Sequence, residues 1–141
     1  MPLPPRVFCD TSFFYACLDR RDAHHPEARL LVPRTAQEGV ALWTTWDVVG
    51  ETVTLLRYRA GHSSALAFVD DLYGRLHLVE YGAEVRTQAV AVFRRYGGER
   101  RLSLCDAISF VVVTALLDRM PCFAFDEDFR RLGLTVVTAP H

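Results

Sequence analysis

The sequence predicts an α/β protein in which two layers of helices enclose a mainly parallel sheet of about five strands, a three-layer α/β/α domain. Short apolar runs rich in Val, Leu, Phe and Thr alternate with longer segments of helical periodicity along the chain. The apolar runs are mostly continuous, which is typical of parallel strands covered on both faces. Alternation of strand and helix then favours right-handed crossovers within one sheet.

The predicted strands are short apolar segments. The first reads RVFC and is interrupted by Asp10, and the second reads ALWT. Gly39, Gly74 and Gly133 separate three of the strands from the helices that precede them. In chain order the five strands are residues 6–9, 41–44, 76–80, 122–125 and 134–138.

The predicted helices lie between these strands and several end at glycine. In chain order they are residues 11–19, 26–38, 46–59, 63–73, 83–96, 104–119 and 128–132. Gly61 and the pair Gly97-Gly98 stand where helices should stop, because glycine adopts the left-handed conformation common after a helix. Pro33 predicts a kink or an early end of the second helix, since proline lacks the backbone N–H.

Composition and charge limit the class of protein. The net charge of −1 argues against nucleic-acid binding by bulk charge alone, although a local basic surface stays open. The 141 residues show no internal repeat, low-complexity segment or linker, so we expect a single domain over residues 1–141. No segment resembles a signal peptide or a membrane span of about 20 apolar residues. We therefore expect a cytoplasmic protein with reduced cysteines and no membrane contact.

Four acidic residues interrupt apolar segments at places where parallel sheets form active sites. Asp10 and Asp126 follow the first and fourth predicted strands, and function in such sheets gathers at the carboxyl ends of the strands. Glu51 and Asp106 stand inside two strongly apolar helices. Taken singly, Asp10 and Asp126 also fit helix caps, and Glu51 also fits a solvated helix face.

Taken together, these acids predict a divalent-metal site. Carboxylates gathered in one place repel each other, and some stay protonated unless a cation compensates their charge. Their own segments offer no obvious basic partners. Hard oxygen ligands suit Mg²⁺ or Mn²⁺, and the chemistry of such a site is metal-assisted hydrolysis of a phosphodiester.

Four short motifs contain these acids and follow one another along nearly the whole chain. They read DTS after the first strand, GETVTLL, LSLCDAISF and FDEDF. Successive acids of the quartet lie 41, 55 and 20 residues apart. In order and spacing these motifs resemble the PIN domains and, within them, the VapC-type toxins of bacterial toxin–antitoxin pairs.

The resemblance implies a metal-dependent endoribonuclease that is a toxin, with RNA as substrate, a cognate antitoxin as partner and a homodimer as its assembly. The quartet that would hold Mg²⁺ or Mn²⁺ is Asp10, Glu51, Asp106 and Asp126. Asp10 and Asp106 would make the principal contacts. Ser12 would be a hydroxyl donor lining the site and Asp128 an auxiliary acid. The family often has Thr or Ser at the position of Ala124, so a hydroxyl near the site is missing.

Two other classes of protein compete with this interpretation. Receiver-like and haloacid-dehalogenase-like phosphotransfer domains also use a strand-end Asp with Mg²⁺. Both normally rely on a lysine, whereas all 16 basic residues of this chain are arginine. The alternative from another class is a non-catalytic PIN scaffold that binds RNA or protein partners, and the presence of all four acids argues against it.

Overall fold

The computed structural model describes residues 2–139, apart from the side chain of Arg100. The strands of the sheet are β1 (Arg6–Cys9), β2 (Ala41–Thr44), β3 (Leu76–Leu78) and β4 (Cys122–Phe123). The α-helices are α1 (Thr11–Leu18), α2 (His25–Gln37), α3 (Trp46–Arg59), α4 (His62–Asp71), α5 (Ala83–Arg100), α6 (Leu104–Val111) and α7 (Glu127–Arg131). A 3₁₀ turn, Tyr73–Arg75, leads into β3, and a π-helical turn, Val112–Leu116, follows α6.

The strand pairs of this sheet are all parallel, in the order β3-β2-β1-β4. Phe8 of the central strand β1 pairs with Trp43 of β2 on one side and with Cys122 of β4 on the other. Val7 and Phe8 are fully buried, because helices cover β1 on both faces. α1 packs against α2, α3 and α4, whereas α5 packs against α6. The predicted three-layer α/β/α architecture is confirmed.

The predicted fifth strand is reduced to a single parallel bridge between Cys122 and Val136, so the sheet has four strands rather than about five. Two backbone hydrogen bonds of 2.8 Å flank this bridge, which holds the segment beside β4. β4 itself ends at Phe123, earlier than predicted, because the chain then turns toward α1. There the Phe125 N–H donates to the hydroxyl of Ser12 rather than to a neighbouring strand.

Two helices pass residues that were expected to end them. α5 continues through Gly97 and Gly98 and ends before Arg101, which has a left-handed φ of 51°. A Cβ atom at Gly97 would lie 3.1 Å from ring atoms of Phe93, which explains a glycine within this helix. α2 runs past Pro33, so the early end predicted there does not occur. The proline is exposed, and its missing N–H removes one helical hydrogen bond without ending the helix.

The helix predicted over residues 104–119 changes its hydrogen-bond pattern halfway. It is α-helical only to Val111 and then continues as the π-helical turn. The Thr114 hydroxyl donates to the Phe110 carbonyl at 2.8 Å, so a side chain competes with the backbone for this acceptor. Asp118 and Arg119, both with left-handed φ values, then reverse the chain toward β4.

The two phenylalanines that follow the DTS motif, Phe13 and Phe14, anchor α1 over the sheet. The Phe13 ring centroid lies 4.7 Å from that of Phe123 in β4, and the Phe14 centroid lies 5.1 Å from that of Phe68 in α4. Both Phe13 and Phe14 are buried. The N-terminus of α1, with the acid that precedes it, is therefore held against the carboxyl ends of β1 and β4.

The remaining general expectations concern the membrane and the thiols. Within residues 2–139, none of the helices combines the length and apolarity that crossing a bilayer requires. All four cysteines are free thiols, as predicted. Cys9 and Cys122 are buried, whereas Cys17 and Cys105 are half-buried.

Candidate active site

Asp10 lies at the end of β1 and is the N-cap of α1. Its Oδ2 accepts hydrogen bonds from the Ser12 N–H at 3.2 Å and from the Ser12 hydroxyl at 2.7 Å. Its Oδ1 is buried and has no hydrogen-bond partner among the described residues. Burial, and then the charge of Asp106, raise the pKa of Asp10 to about 7. Asp10 is therefore a helix cap with one oxygen still without a partner.

Asp106 is the third residue of α6 and closes a capping box with Ser103. Its Oδ2 accepts from the Ser103 N–H at 3.1 Å, while the Ser103 hydroxyl accepts from the Asp106 N–H at 3.0 Å. Burial raises the pKa of Asp106 to about 6, and the charges of Asp126 and Glu51 add to this effect. The hydrogen bonds of the cap lower the pKa of Asp106, but they do not restore its ordinary value.

Asp126 follows β4 and is the N-cap of α7, where its Oδ1 accepts from the Asp128 N–H at 3.0 Å. One carboxylate oxygen from each of Asp106, Asp126 and Asp128 lies within 4.8 Å of the other two. Asp128 is itself buried. Asp128, which was expected to be an auxiliary acid, thus belongs to the closest group of carboxylates among the described residues. Asp10 lies outside this group.

Glu51 extends from α3 toward α6 and is half-buried. Cys105, next to Asp106 in the chain, lies close enough to Glu51 to be influenced by its charge. Burial, followed by the charge of Glu51, raises the pKa of Cys105 above its ordinary value. The two helices that carry the acids of the second and third motifs are therefore neighbours in the fold.

The four predicted acids converge on one cavity of about 270 Å³, together with Ser12. The cavity is lined by Asp10, Thr11, Ser12, Tyr15, Asp22, His24, Glu51, Leu55, Arg59, Ser103, Asp106, Phe125 and Asp126. A hard divalent cation fits this donor set, because several carboxylates face one space and Oδ1 of Asp10 has no partner. Without a cation the burial of Asp10 and Asp106, and then the negative charge concentrated around them, raises the pKa of both.

Ser12 joins the first and last motifs. Its hydroxyl donates to Asp10 and accepts from the Phe125 N–H at 2.9 Å, so one side chain links the end of β1 with the segment after β4. Ala124 is buried and lines a neighbouring cavity that shares Phe125 and Asp126 with the acidic one. The hydroxyl that the family often has at this position would thus stand next to the acidic cavity.

The cavity lining also includes residues outside the predicted site set, and His24 and Arg59 are two of them. His24 is exposed, and its ring stacks on that of Phe125 with centroids 4.6 Å apart. Arg59 lies eight residues after Glu51 and four after Leu55, and all three line the cavity. Because residues four apart share a helix face, this spacing places Arg59 on the same face of α3 as Glu51.

Comparison with known proteins gives concordant results. The chain matches the PIN domain family over residues 7–134. It is 35% identical over 132 residues to the 23S rRNA-specific endonuclease VapC20 of Mycobacterium tuberculosis. This alignment covers 93% of this chain and 97% of that protein. It is 31% identical over 124 residues to the VapC ribonuclease of Archaeoglobus fulgidus. This alignment covers 85% of this chain and 76% of that protein.

Solved structures resemble this chain over most of its length. The crystal structure of M. tuberculosis VapC20, described as a toxin that cleaves the sarcin–ricin loop, aligns with a TM-score of 0.79 at 32% identity. The alignment covers 94% of this chain and 99% of that one. VapBC2 from Rickettsia felis, bound to a promoter DNA fragment, shares the fold with a TM-score of 0.60 at 11% identity, over 93% of this chain and 96% of that one.

Proposed function

The chain belongs to the PIN-domain family and is a VapC-type toxin endoribonuclease, and from that premise we propose which residues carry the reaction. A divalent ion, Mg²⁺ or Mn²⁺, binds in the acidic cavity, and the quartet that holds it is Asp10, Glu51, Asp106 and Asp126. The observation that supports this most directly is that Asp10 lines one cavity with the other three acids and carries a buried Oδ1 that has no hydrogen-bond partner among the described residues.

Each acid has a separate task in the proposed site. Asp10 and Asp106 supply the principal ligand oxygens, and their hydrogen bonds to Ser12 and Ser103 hold the two carboxylates in orientation. Glu51 and Asp126 complete the negative charge around the ion, and Asp128 acts as the auxiliary acid. When bound, a divalent cation lowers the pKa of a coordinated water and neutralises charge that develops on the phosphoryl group.

Metal binding in this site is coupled to proton release. Raised pKa values of about 7 for Asp10 and about 6 for Asp106 leave a fraction of both carboxyl groups protonated near neutral pH without a metal. Each must lose its proton to act as a ligand. Metal affinity should therefore rise with pH between about 6 and 8 and level off above that range.

The substrate is RNA, and a structured ribosomal element is the first candidate because VapC20 is named as a 23S rRNA-specific endonuclease. The partner is a cognate antitoxin protein, and the chain assembles as a homodimer in the cytoplasm. An apolar groove near the active site would receive an acidic or amphipathic antitoxin segment.

The test is RNA cleavage by the purified protein. A panel of structured RNAs that includes a sarcin–ricin hairpin is incubated with Mg²⁺, with Mn²⁺ or with EDTA, and the products are resolved on denaturing gels. We expect discrete cleavage with metal and none with EDTA. Asp106→Asn should abolish cleavage, whereas Asp70→Asn, which removes a charge from an exposed position of α4, should not.

Two results would contradict the proposal. Cleavage by Asp106→Asn at the wild-type rate would remove that acid from the reaction. A wild-type protein that binds RNA but does not cut any member of the panel with either metal would favour the non-catalytic PIN scaffold.

A further inference from the structure

One permanently charged cation lines the acidic cavity among the described residues, and it is not neutralised by the acids around it. The side chain of Arg59, the last residue of α3, shares the cavity with Asp10, Asp22, Glu51, Asp106 and Asp126. No ion pair joins Arg59 to a carboxylate of residues 2–139. An arginine beside this many carboxylates would ordinarily pair with one of them, so something holds Arg59 elsewhere.

The ring of Tyr15 holds the guanidinium. The Cζ atom of Arg59 lies over this ring, 5.8 Å from its centroid, in a cation–π contact. The Tyr15 hydroxyl donates to Asp19 at 2.5 Å. A hydrogen bond from a phenol to a carboxylate increases the electron density of the ring, so it strengthens the attraction for the cation above. Tyr15 and Asp19 are both buried, which makes the platform rigid.

The backbone of Arg59 is held by the same group of residues. Asp19 accepts hydrogen bonds from the N–H of Arg21 at 3.0 Å and from its Nε at 3.3 Å. A terminal nitrogen of Arg21 then donates to the carbonyl of Arg59. The four residues therefore form a closed circuit in which the side chain of Arg59 rests on Tyr15 and its backbone is bonded to Arg21.

This arrangement leaves the hydrogen-bonding edge of the guanidinium available. Cation–π contact uses the face of the group, and none of the hydrogen bonds among the described residues involves its nitrogens. A planar guanidinium presents paired N–H donors that match two oxygens of a phosphate. The side chain is exposed, so a ligand in the cavity can reach it.

We propose that Arg59, held over Tyr15 by the circuit through Asp19 and Arg21, binds an RNA phosphate that flanks the cleaved bond. The inference rests on the proposed function, since it concerns the substrate of the same cavity. The physical need is clear, because a polyanion approaching five carboxylates is repelled by every acid that a bound metal does not neutralise. A fixed cation at the rim offsets part of that repulsion and sets the register of the RNA on the site.

The experiment measures RNA binding apart from cleavage. A short fluorescein-labelled single-stranded RNA is titrated with protein in CaCl₂ in place of Mg²⁺ or Mn²⁺, and the dissociation constant is read from fluorescence anisotropy over a series of KCl concentrations. Gels run after each titration verify that the RNA is intact. The variants are Arg59→Ala, Arg59→Lys, Tyr15→Phe and, as a matched control, Arg57→Ala. Arg57 lies on the same helix, is exposed, contacts His62 and does not line the cavity.

The two alanine variants should differ in both affinity and salt dependence. Loss of charged hydrogen bonds to phosphate should weaken binding by Arg59→Ala by about 10-fold or more. The slope of log K against log salt should become shallower by about 0.7, the value for one phosphate contact on a single strand. Arg57→Ala should change the dissociation constant by less than about 2-fold.

The other two variants separate charge from orientation. Arg59→Lys keeps the charge and should keep the salt slope, but it loses the paired donors and should bind more weakly than wild type. Tyr15→Phe removes the hydroxyl that polarises the ring, so affinity should fall while the salt slope is unchanged. Thermal melts of all variants verify that each is folded.

The outcomes distinguish this inference from the proposed function. If wild type cuts and binds RNA but Arg59→Ala matches Arg57→Ala in affinity and slope, the assignment of Arg59 is wrong and the acidic site stands. If Arg59→Ala loses stability yet keeps the wild-type affinity and slope, the residue only holds the end of α3. If wild type neither cuts nor binds RNA, both proposals fail.

Discussion

Replacing Asp10 by Asn should make the metal-free protein more stable at pH 8 and less stable at pH 4. Asn is as good an N-cap as Asp, so the hydrogen bond from the Ser12 N–H to the side chain at the start of α1 is kept. The substitution removes the charge that burial and Asp106 make unfavourable. A capping Asp that is exposed to solvent and has no acidic neighbour would show no such reversal with pH.

The magnitude follows from the pKa. Folding raises the pKa of Asp10 from 3.8 to about 7, and each unit corresponds to about 1.4 kcal/mol. The stability that the protonated group contributes is fully present below pH 3.8 and is lost as the pH rises through 7. At pH 8 the ionised group therefore costs about 4 kcal/mol.

The amide of Asn offsets part of this gain. Its NH₂ group takes the place of the partnerless Oδ1, and an unsatisfied buried donor costs about 1–3 kcal/mol at any pH. The expected net effect is a gain of about 1–3 kcal/mol at pH 8, or roughly 3–10 °C in Tm, and a loss of similar size at pH 4.

The assay is a thermal melt at pH 4, 6 and 8, with EDTA or with Mn²⁺, for wild type, Asp10→Asn and the exposed control Asp70→Asn. The control should lie within about 1 °C of wild type, because surface substitutions have small effects. Mn²⁺ should raise the Tm of wild type more than that of Asp10→Asn. An Asp10→Asn protein that is less stable than wild type at pH 8 in EDTA would refute the reasoning.

The remaining predictions concern other parts of the site and the assembly. Asp106→Asn should also raise the metal-free stability at pH 8, but by less than Asp10→Asn, since the pKa of Asp106 is raised only to about 6. Urea unfolding measures this stability, and a variant less stable than wild type at pH 8 would contradict the prediction. Ser12→Ala should cost about 1–3 kcal/mol in the same assay, because the Phe125 N–H loses its acceptor, and an unchanged midpoint would argue against that link. Cys9 and Cys105 should react slowly with a thiol reagent in the native protein, since burial raises the pKa of both, and rapid modification of either would contradict this prediction. Light scattering should give the mass of a dimer, and a monomer at micromolar concentration would exclude the proposed assembly.

Local pattern was sufficient to predict the architecture. Continuous apolar strands separated by helices indicate a parallel sheet, because each strand must be buried on both faces. The carboxyl ends of parallel strands meet at one edge, so Asp10 and Asp126 could be expected near each other. The predictions of one domain over residues 1–141, of a homodimer and of a cytoplasmic location stay predictions.

Tertiary structure decided the details that no periodicity encodes. The segment 134–138 has the composition of a strand, but its pairing depends on the length of β4, which ends early where Phe125 bonds to Ser12. Asp128 joined the closest group of acids because the short helix α7 turns its first residues toward Asp106.

The position of Arg59 illustrates the same division. Its spacing from Glu51 places both residues on one face of α3, and the sequence alone is sufficient to predict this placement. Whether the guanidinium pairs with an acid or rests on an aromatic ring depends on Tyr15, which comes from a helix more than forty residues earlier. Such a contact forms only when separate segments pack together, because its energy depends on distance and orientation in space rather than on order along the chain.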